Sequence, residues 1–168
     1  MNQRLLYLSA LLVSLVALAW FFRPKPKPKL RAPETLKGTI VWLMNSYVPN
    51  VRAGAEITVH ALNQQLLAAG WRVIVVLPDW QQAEVDGVEC MRFPKSGNLT
   101  DAPHLAEVFR AADAIFCQNF DAQRAIQLLE SFGKPIVFFL HIEREKADIL
   151  QQRFAVPVAV VYLSLIHI

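Results

Sequence analysis

The chain has 168 residues, 54% of them hydrophobic, with a mean hydropathy of +0.30 and a formal net charge of +3. That length allows one domain and little more. Six of the 17 basic residues lie in positions 1–31, where there is no acid, and the remaining eleven face 14 acids, a net of −3. The basic pI of about 9.0 therefore belongs to the N-terminal stretch, and nothing in the domain argues for a nucleic-acid partner.

Leu5–Phe22 holds eighteen residues without a charge. As a helix it is about 27 Å long, against roughly 30 Å of hydrocarbon. Arg4 and Arg23 flank it and Trp20 suits the interface. A transmembrane anchor over 1–22 is expected. Ala17-Leu18-Ala19 has the small-x-small form of a signal-peptide cleavage site, so a cleaved signal stays open as the alternative. The five cations Arg23, Lys25, Lys27, Lys29 and Arg31 place the bulk of the chain on the cytosolic side by the positive-inside rule. Residues 24–29 alternate proline with lysine, and 23–36 read as an extended basic linker. Its cations also add attraction to anionic lipid.

The domain is expected over 37–162. Thr39–Met44 is a continuous apolar run, as in a parallel strand buried on both faces. In the helix predicted over Ala55–Ala69, residues Ala55, Val59, Leu62 and Leu66 form the apolar face, and Gly70 ends it. Arg72–Leu77 is a second buried strand, closed by Pro78-Asp79. Val85–Phe93 is more polar and suits a sheet edge or an antiparallel ribbon. A helix at Pro103–Ala111, a strand at Ala114–Cys117, a helix at Ala122–Phe132 and a strand at Pro135–Leu140 follow. The series ends with a helix over Glu143–Phe154 and a strand over Pro157–Tyr162. Strand and helix at this spacing make right-handed βαβ units, so the fold class is α/β, a doubly wound parallel sheet of Rossmann-like form. Cys90 and Cys117 both fall in strands and read as buried free thiols.

Ligands in such sheets bind beyond the carboxyl ends of the strands. The loops to inspect are Asn45–Gly54, Pro78–Gln82, Gln118–Asp121 and His141–Glu143. In the first, Gly54-Ala55-Glu56 opens a helix whose free N–H groups attract anions such as a diphosphate; a tight turn at Gly54 is the plain alternative. The loop lacks G-x-G-x-x-G, which speaks against a nicotinamide dehydrogenase. His141 stands at a strand's carboxyl end, where a neutral imidazole can donate one hydrogen bond and accept another. Asn119 and Asp121 share that edge and can hydrogen-bond a sugar, although Asp121 also suits a helix N-cap. His60 and His104 read as helix-surface and loop residues. No His/Cys/carboxylate group has metal-ligand spacing, and no nucleophile–base pair stands out.

The stretch Ala53-Gly54-Ala55-Glu56-Ile57-Thr58-Val59-His60-Ala61-Leu62, with Leu66–Val76 after it, resembles the N-terminal domain of GT-B glycosyltransferases of the large retaining subfamily. There Gly-Gly-Ala-Glu opens a helix that runs into an Ala-x-x-Gly-His-x-Val-x-Val strand entry. This chain has Ala53 for the first glycine and Trp71 for the histidine, and the first change weakens the case for close diphosphate approach. The resemblance spans about residues 38–162 and reaches Phe138-Phe139-Leu140-His141, where the family often ends a strand in histidine. It implies a membrane-anchored enzyme that moves a sugar from a nucleotide-sugar donor to an unknown acceptor, with no other cofactor. His141 would sit in the catalytic cleft, and Gly54, Ala55, Glu56 and Asn119 would bind substrate. It also implies a C-terminal donor domain beyond this chain, so the chain alone is expected to be inactive. Rivals are an epimerase or dehydrogenase of Rossmann type, and a non-enzymatic membrane-tethered binding module. Leu163–Ile168 is the translation of CTG TCT CTT ATA CAC ATC, a transposon-end adapter used in sequencing libraries. Native sequence is therefore expected to end near Tyr162, which discounts His167; a genuine apolar strand is the alternative.

Overall fold

The computed structural model describes residues 36–118, 122–140 and 153–162. The expected anchor over 1–22, nearly all of the basic linker, Asn119, Asp121, His141, residues 143–152 of the predicted helix and the six C-terminal residues lie outside them. Among the described residues no helix is long and apolar enough to cross a membrane.

Seven strands form one sheet: β1 (Gly38–Met44), β2 (Trp71–Leu77), β3 (Glu84–Val85), β4 (Val88–Arg92), β5 (Ala114–Gln118), β6 (Ile136–Leu140) and β7 (Val158–Tyr162). Their order is β3-β4-β2-β1-β5-β6-β7, and every pairing is parallel except β3 with β4. The helices are α1 (Gly54–Ala68), α2 (Pro103–Ala111) and α3 (Ala122–Leu129), the last continued by a 3₁₀ turn at Glu130–Phe132. From β1 the chain winds outward through α1, β2 and the hairpin, then crosses back through α2 to β5 on the other side of β1. The α/β class and the Rossmann-like sheet expected from the periodicity are what the chain forms.

Side chains alternate faces along each strand, and the two faces collect two separate cores. Val41, Leu43, Ile74, Val76, Ile115, Ile136 and Phe138 meet Leu105 and Phe109 of α2 and Ala125 and Leu129 of α3. Ile40, Trp42, Met44, Val73, Val75 and Leu77 meet Val59 of α1, with Tyr47 and Trp80 from the loops. On this second face Trp42 packs against Phe116 and Phe139, with ring centroids 4.8 Å away in each case. Cys90 and Cys117 are buried free thiols, one in each core.

Two elements need detail beyond the expectation. The polar run over 85–93 takes the antiparallel-ribbon form, within a hairpin that begins at Glu84: Asp86 and Gly87 both take positive φ, +48° and +85°, the two-residue turn whose twist matches paired strands. Only β3 is the edge; β4 lies inside, paired with β2. Its polar character is accommodated because Arg72 forks onto Glu89 with bonds of 2.7 and 2.8 Å. The second is α1. Its fully buried residues are Glu56, Val59 and Asn63, whereas Leu62 and Leu66 are only partly buried beside them. Two polar residues thus occupy the centre of a face that apolar spacing assigned to Ala55, Val59, Leu62 and Leu66. The end of α1 matches expectation: Gly70 takes φ +92° and donates to the Leu67 carbonyl.

Candidate functional site

The strand order reverses direction between β1 and β5, a topological switch point. The register pairs Met44, the last residue of β1, with Gln118, the last of β5. Gln118 is only 1% exposed, a buried polar group at that edge. The loop that leaves β1 leads to the start of α1, so Gly54, Ala55 and Glu56 form the first turn of a helix that follows the switch-point strand. Asn119 and His141 follow β5 and β6 in sequence but lie outside the described residues.

Ala53 at the N-cap has no side-chain oxygen and makes no side-chain cap. The first intrahelical bond runs from the Ile57 N–H to the Ala53 carbonyl at 3.1 Å, which leaves the N–H groups of Gly54, Ala55 and Glu56 without a partner inside the helix. Pro49 to Gly54 are exposed. Glu56, by contrast, is 4% exposed. Its Oε1 accepts the Ser46 hydroxyl at 2.6 Å, and its Oε2 is buried with no hydrogen-bond partner among the described residues.

One residue on, Tyr47 is fully buried and its hydroxyl lies 2.9 Å from His60 Nδ1. Asn63 Nδ2 donates to the same hydroxyl at 3.0 Å, and His60 Nε2 lies 3.3 Å from an Asp86 carboxylate oxygen in the β3–β4 turn. With His60 neutral and protonated on Nε2, each bond has one donor: Asn63 to Tyr47, Tyr47 to His60, His60 to Asp86. Burial holds the Tyr47 phenol well above its ordinary value, against the lowering effect of the Asn63 bond. The relay joins the β1–α1 loop, α1 and the hairpin turn. His60, expected as a helix-surface residue, is an internal member of it, because both its ring nitrogens find partners across the helix face.

Ser46, Tyr47 and Asn63 were missed by motif reading. A signal existed: Glu56, His60 and Asn63 recur at steps of four and three, a polar stripe at helical spacing. In the second loop Asp79 takes φ +46° and its carboxylate receives Arg92 at 3.2 Å and Lys95 at 4.0 Å. All three are largely exposed, so these pairs contribute little. The Trp80 beside them is buried.

A cleft of about 530 Å³ lies elsewhere, between the turn at 98–101, α2 and the end of α3, on Leu99, Pro103, Ala106, Arg110, Leu128 and Phe132. It shares no residue with the switch-point loops. Arg110 already pairs with Glu107, and the site is better judged from the strand ends than from this volume. Among the described residues no group of three or more His, Cys, Asp or Glu side chains is placed to hold a metal. No protein-family model, curated protein or solved structure matches this chain.

Proposed function

We propose that the chain is the acceptor-side domain of a membrane-anchored glycosyltransferase of the two-domain GT-B type, which moves a sugar from a nucleotide-sugar donor to an acceptor. One observation carries the reading: the uncapped first turn of α1, Gly54-Ala55-Glu56, follows the strand at which the sheet order reverses. The residues there are also those whose sequence resembles the family's Gly-Gly-Ala-Glu opening. His141 and Asn119 are proposed to face the same cleft. Catalysis in such an enzyme is mostly positioning and electrostatic stabilisation of the leaving diphosphate. The donor-binding groups belong to a second domain, and residues 1–22 to the membrane anchor, with the domain on the cytosolic side.

The test is release of nucleoside diphosphate from a panel of nucleotide sugars. The complete gene product should turn over at least one donor, and the 168-residue chain none. Brisk turnover by the chain alone would remove the two-domain reading, and silence from the complete product would remove the transferase reading. Sealed cells settle the topology. An external protease should spare the domain, and deletion of 1–22 should release it from membranes.

A further inference from the structure

We propose that the start of α1 reads hydroxyl groups: Glu56 accepts hydrogen bonds from a neutral sugar acceptor and, as an acid in the first turn, keeps phosphate away. The inference rests on the glycosyltransferase reading above and sharpens it, because it assigns this turn to the acceptor and not to the donor diphosphate.

A helix start with free N–H groups ordinarily suits an anion. Here the chain supplies its own acid at the third helical position, 4% exposed. A phosphate approaching the same turn meets a second negative group in a partly water-excluded place, where like-charge repulsion is stronger than in water. The acid is also not free to swing aside. Its Oε1 is tied to Ser46, and the neighbouring Tyr47 is held by His60 and Asn63.

The second observation is independent of the helix. Glu56 Oε2 has less than 1 Å² of surface and no hydrogen-bond partner among the described residues. A buried carboxyl oxygen left without a donor is as costly as a broken hydrogen bond. The Ser46 bond fixes the group against the loop that leaves β1, at the carboxyl edge of the sheet. Its missing partner is therefore a donor that arrives at that edge. A sugar hydroxyl is such a donor, and the fully ionised diester diphosphate of a nucleotide sugar is not. The segment Pro49–Gly54, which lies between Ser46 and Glu56 along the chain, is exposed, and its movement is the proposed route by which a hydroxyl reaches Oε2. Ala53, Gly54 and Ala55 present almost no side chain to obstruct it. Arg52, exposed in the same segment, is the nearest basic residue in sequence, and its charge becomes useful to an anion once the acid is removed.

The test follows the backbone amides of Ala53–Ile57 by ¹H–¹⁵N NMR on the full 168-residue chain in detergent micelles. The probes are the methyl glycosides of glucose, galactose, mannose and N-acetylglucosamine, and separately inorganic pyrophosphate. At least one glycoside should shift these amides in the wild type while pyrophosphate does not. Glu56→Gln should weaken that glycoside about tenfold, the loss of one charge-assisted bond, and should gain pyrophosphate binding. Pyrophosphate binding to the wild type more tightly than every glycoside overturns the inference and leaves the transferase reading standing, with a diphosphate site in its place. Unchanged glycoside affinity in Glu56→Gln also overturns the inference alone. If no probe moves these amides, the inference and the site both fall. The wild-type comparison decides the matter even where the variant does not fold.

Discussion

The two faces of the sheet are built from alternate residues of the same strands, yet they are packed by different chemistry. The face under α2 and α3 is apolar throughout: Val41, Leu43, Ile74 and Val76 against Leu105, Phe109, Ala125 and Leu129. The face under α1 has an equally apolar floor, Trp42, Met44, Val73 and Val75, but α1 lays Glu56 and Asn63 onto it beside Tyr47. Burying polar groups is unfavourable unless each finds a partner, and even then the net gain is small. The first face is therefore organised for stability. The second trades part of its stability for fixed polar geometry at the carboxyl edge, where ligands of such sheets are held.

The largest expected effect tests the apolar face. Phe109 is fully buried and stacks on Phe132 at 5.5 Å. Phe109→Ala should cost about 3–5 kcal/mol in urea unfolding, as large-to-small core changes do. The amides of Ala53–Ile57 should keep their chemical shifts. If they move as much as those of α2, the two faces are not independent and the contrast between them fails.

Most of this architecture is legible in the amino-acid order. The buried parallel strands announce themselves as unbroken apolar runs, as at Thr39–Met44 and Arg72–Leu77, and Gly70 and Gly133 mark helix ends by their need for positive φ. The Asp86-Gly87 turn is equally local, and the polar run around it reads as a sheet edge or an antiparallel ribbon; what that run does not announce is the inward position of β4. The site is less legible for a physical reason. Periodicity finds apolar faces, and α1 buries an acid and an amide whose partners, Ser46 and Tyr47, lie ten and sixteen residues away in another element. Nothing local to Glu56 says that Ser46 waits for it.

Next in size is an alkaline effect with one thiol on each face. Burial, helped by the nearby Glu84, pushes Cys90 up from 9.0 to about 11, with the Trp80 indole working the other way. Burial alone pushes Cys117 up. A raised thiol stays neutral in the folded chain while the unfolded chain ionises. The associated stability is thus fully present below pH 9 and is lost as pH rises towards the folded values. Each thiol should remove about 1.4 kcal/mol per pH unit over that window. Urea midpoints at pH 8 and pH 10 should show the slope, halved in Cys90→Ala and in Cys117→Ala. An unchanged slope in either variant would mean that thiol is open to water, and its face less tightly packed than the other.

The relay under α1 should yield a smaller change with a distinctive pattern. Tyr47→Phe removes the hydroxyl that Asn63 donates to and that His60 meets, leaving a buried amide without a partner, at about 1–3 kcal/mol. Asn63→Leu alone should cost a similar amount. The double variant should cost less than the sum, because removing both partners removes the unmet bond as well. Strict additivity would show that the two groups are not coupled, and the polar face would then be apolar packing with incidental oxygens.

The smallest effect is the most pointed, because it compares one substitution on the two faces. Ser46 is partly buried and its hydroxyl is, among the described residues, the hydrogen-bond partner of the Glu56 carboxyl. Ser131 is exposed at the end of α3. Ser131→Ala should fall within about 0.5 kcal/mol of wild type, as unburdened surface changes do. Ser46→Ala should cost about 1 kcal/mol, since the carboxyl loses the Ser46 hydroxyl as a partner. That same release should loosen the acid from the strand edge and weaken glycoside binding by more than stability falls. Urea midpoints and the glycoside titration on the same two variants give both numbers. Equal, negligible shifts would mean that Glu56 is held by its surroundings and not by Ser46, and that the polar face owes its geometry to burial alone.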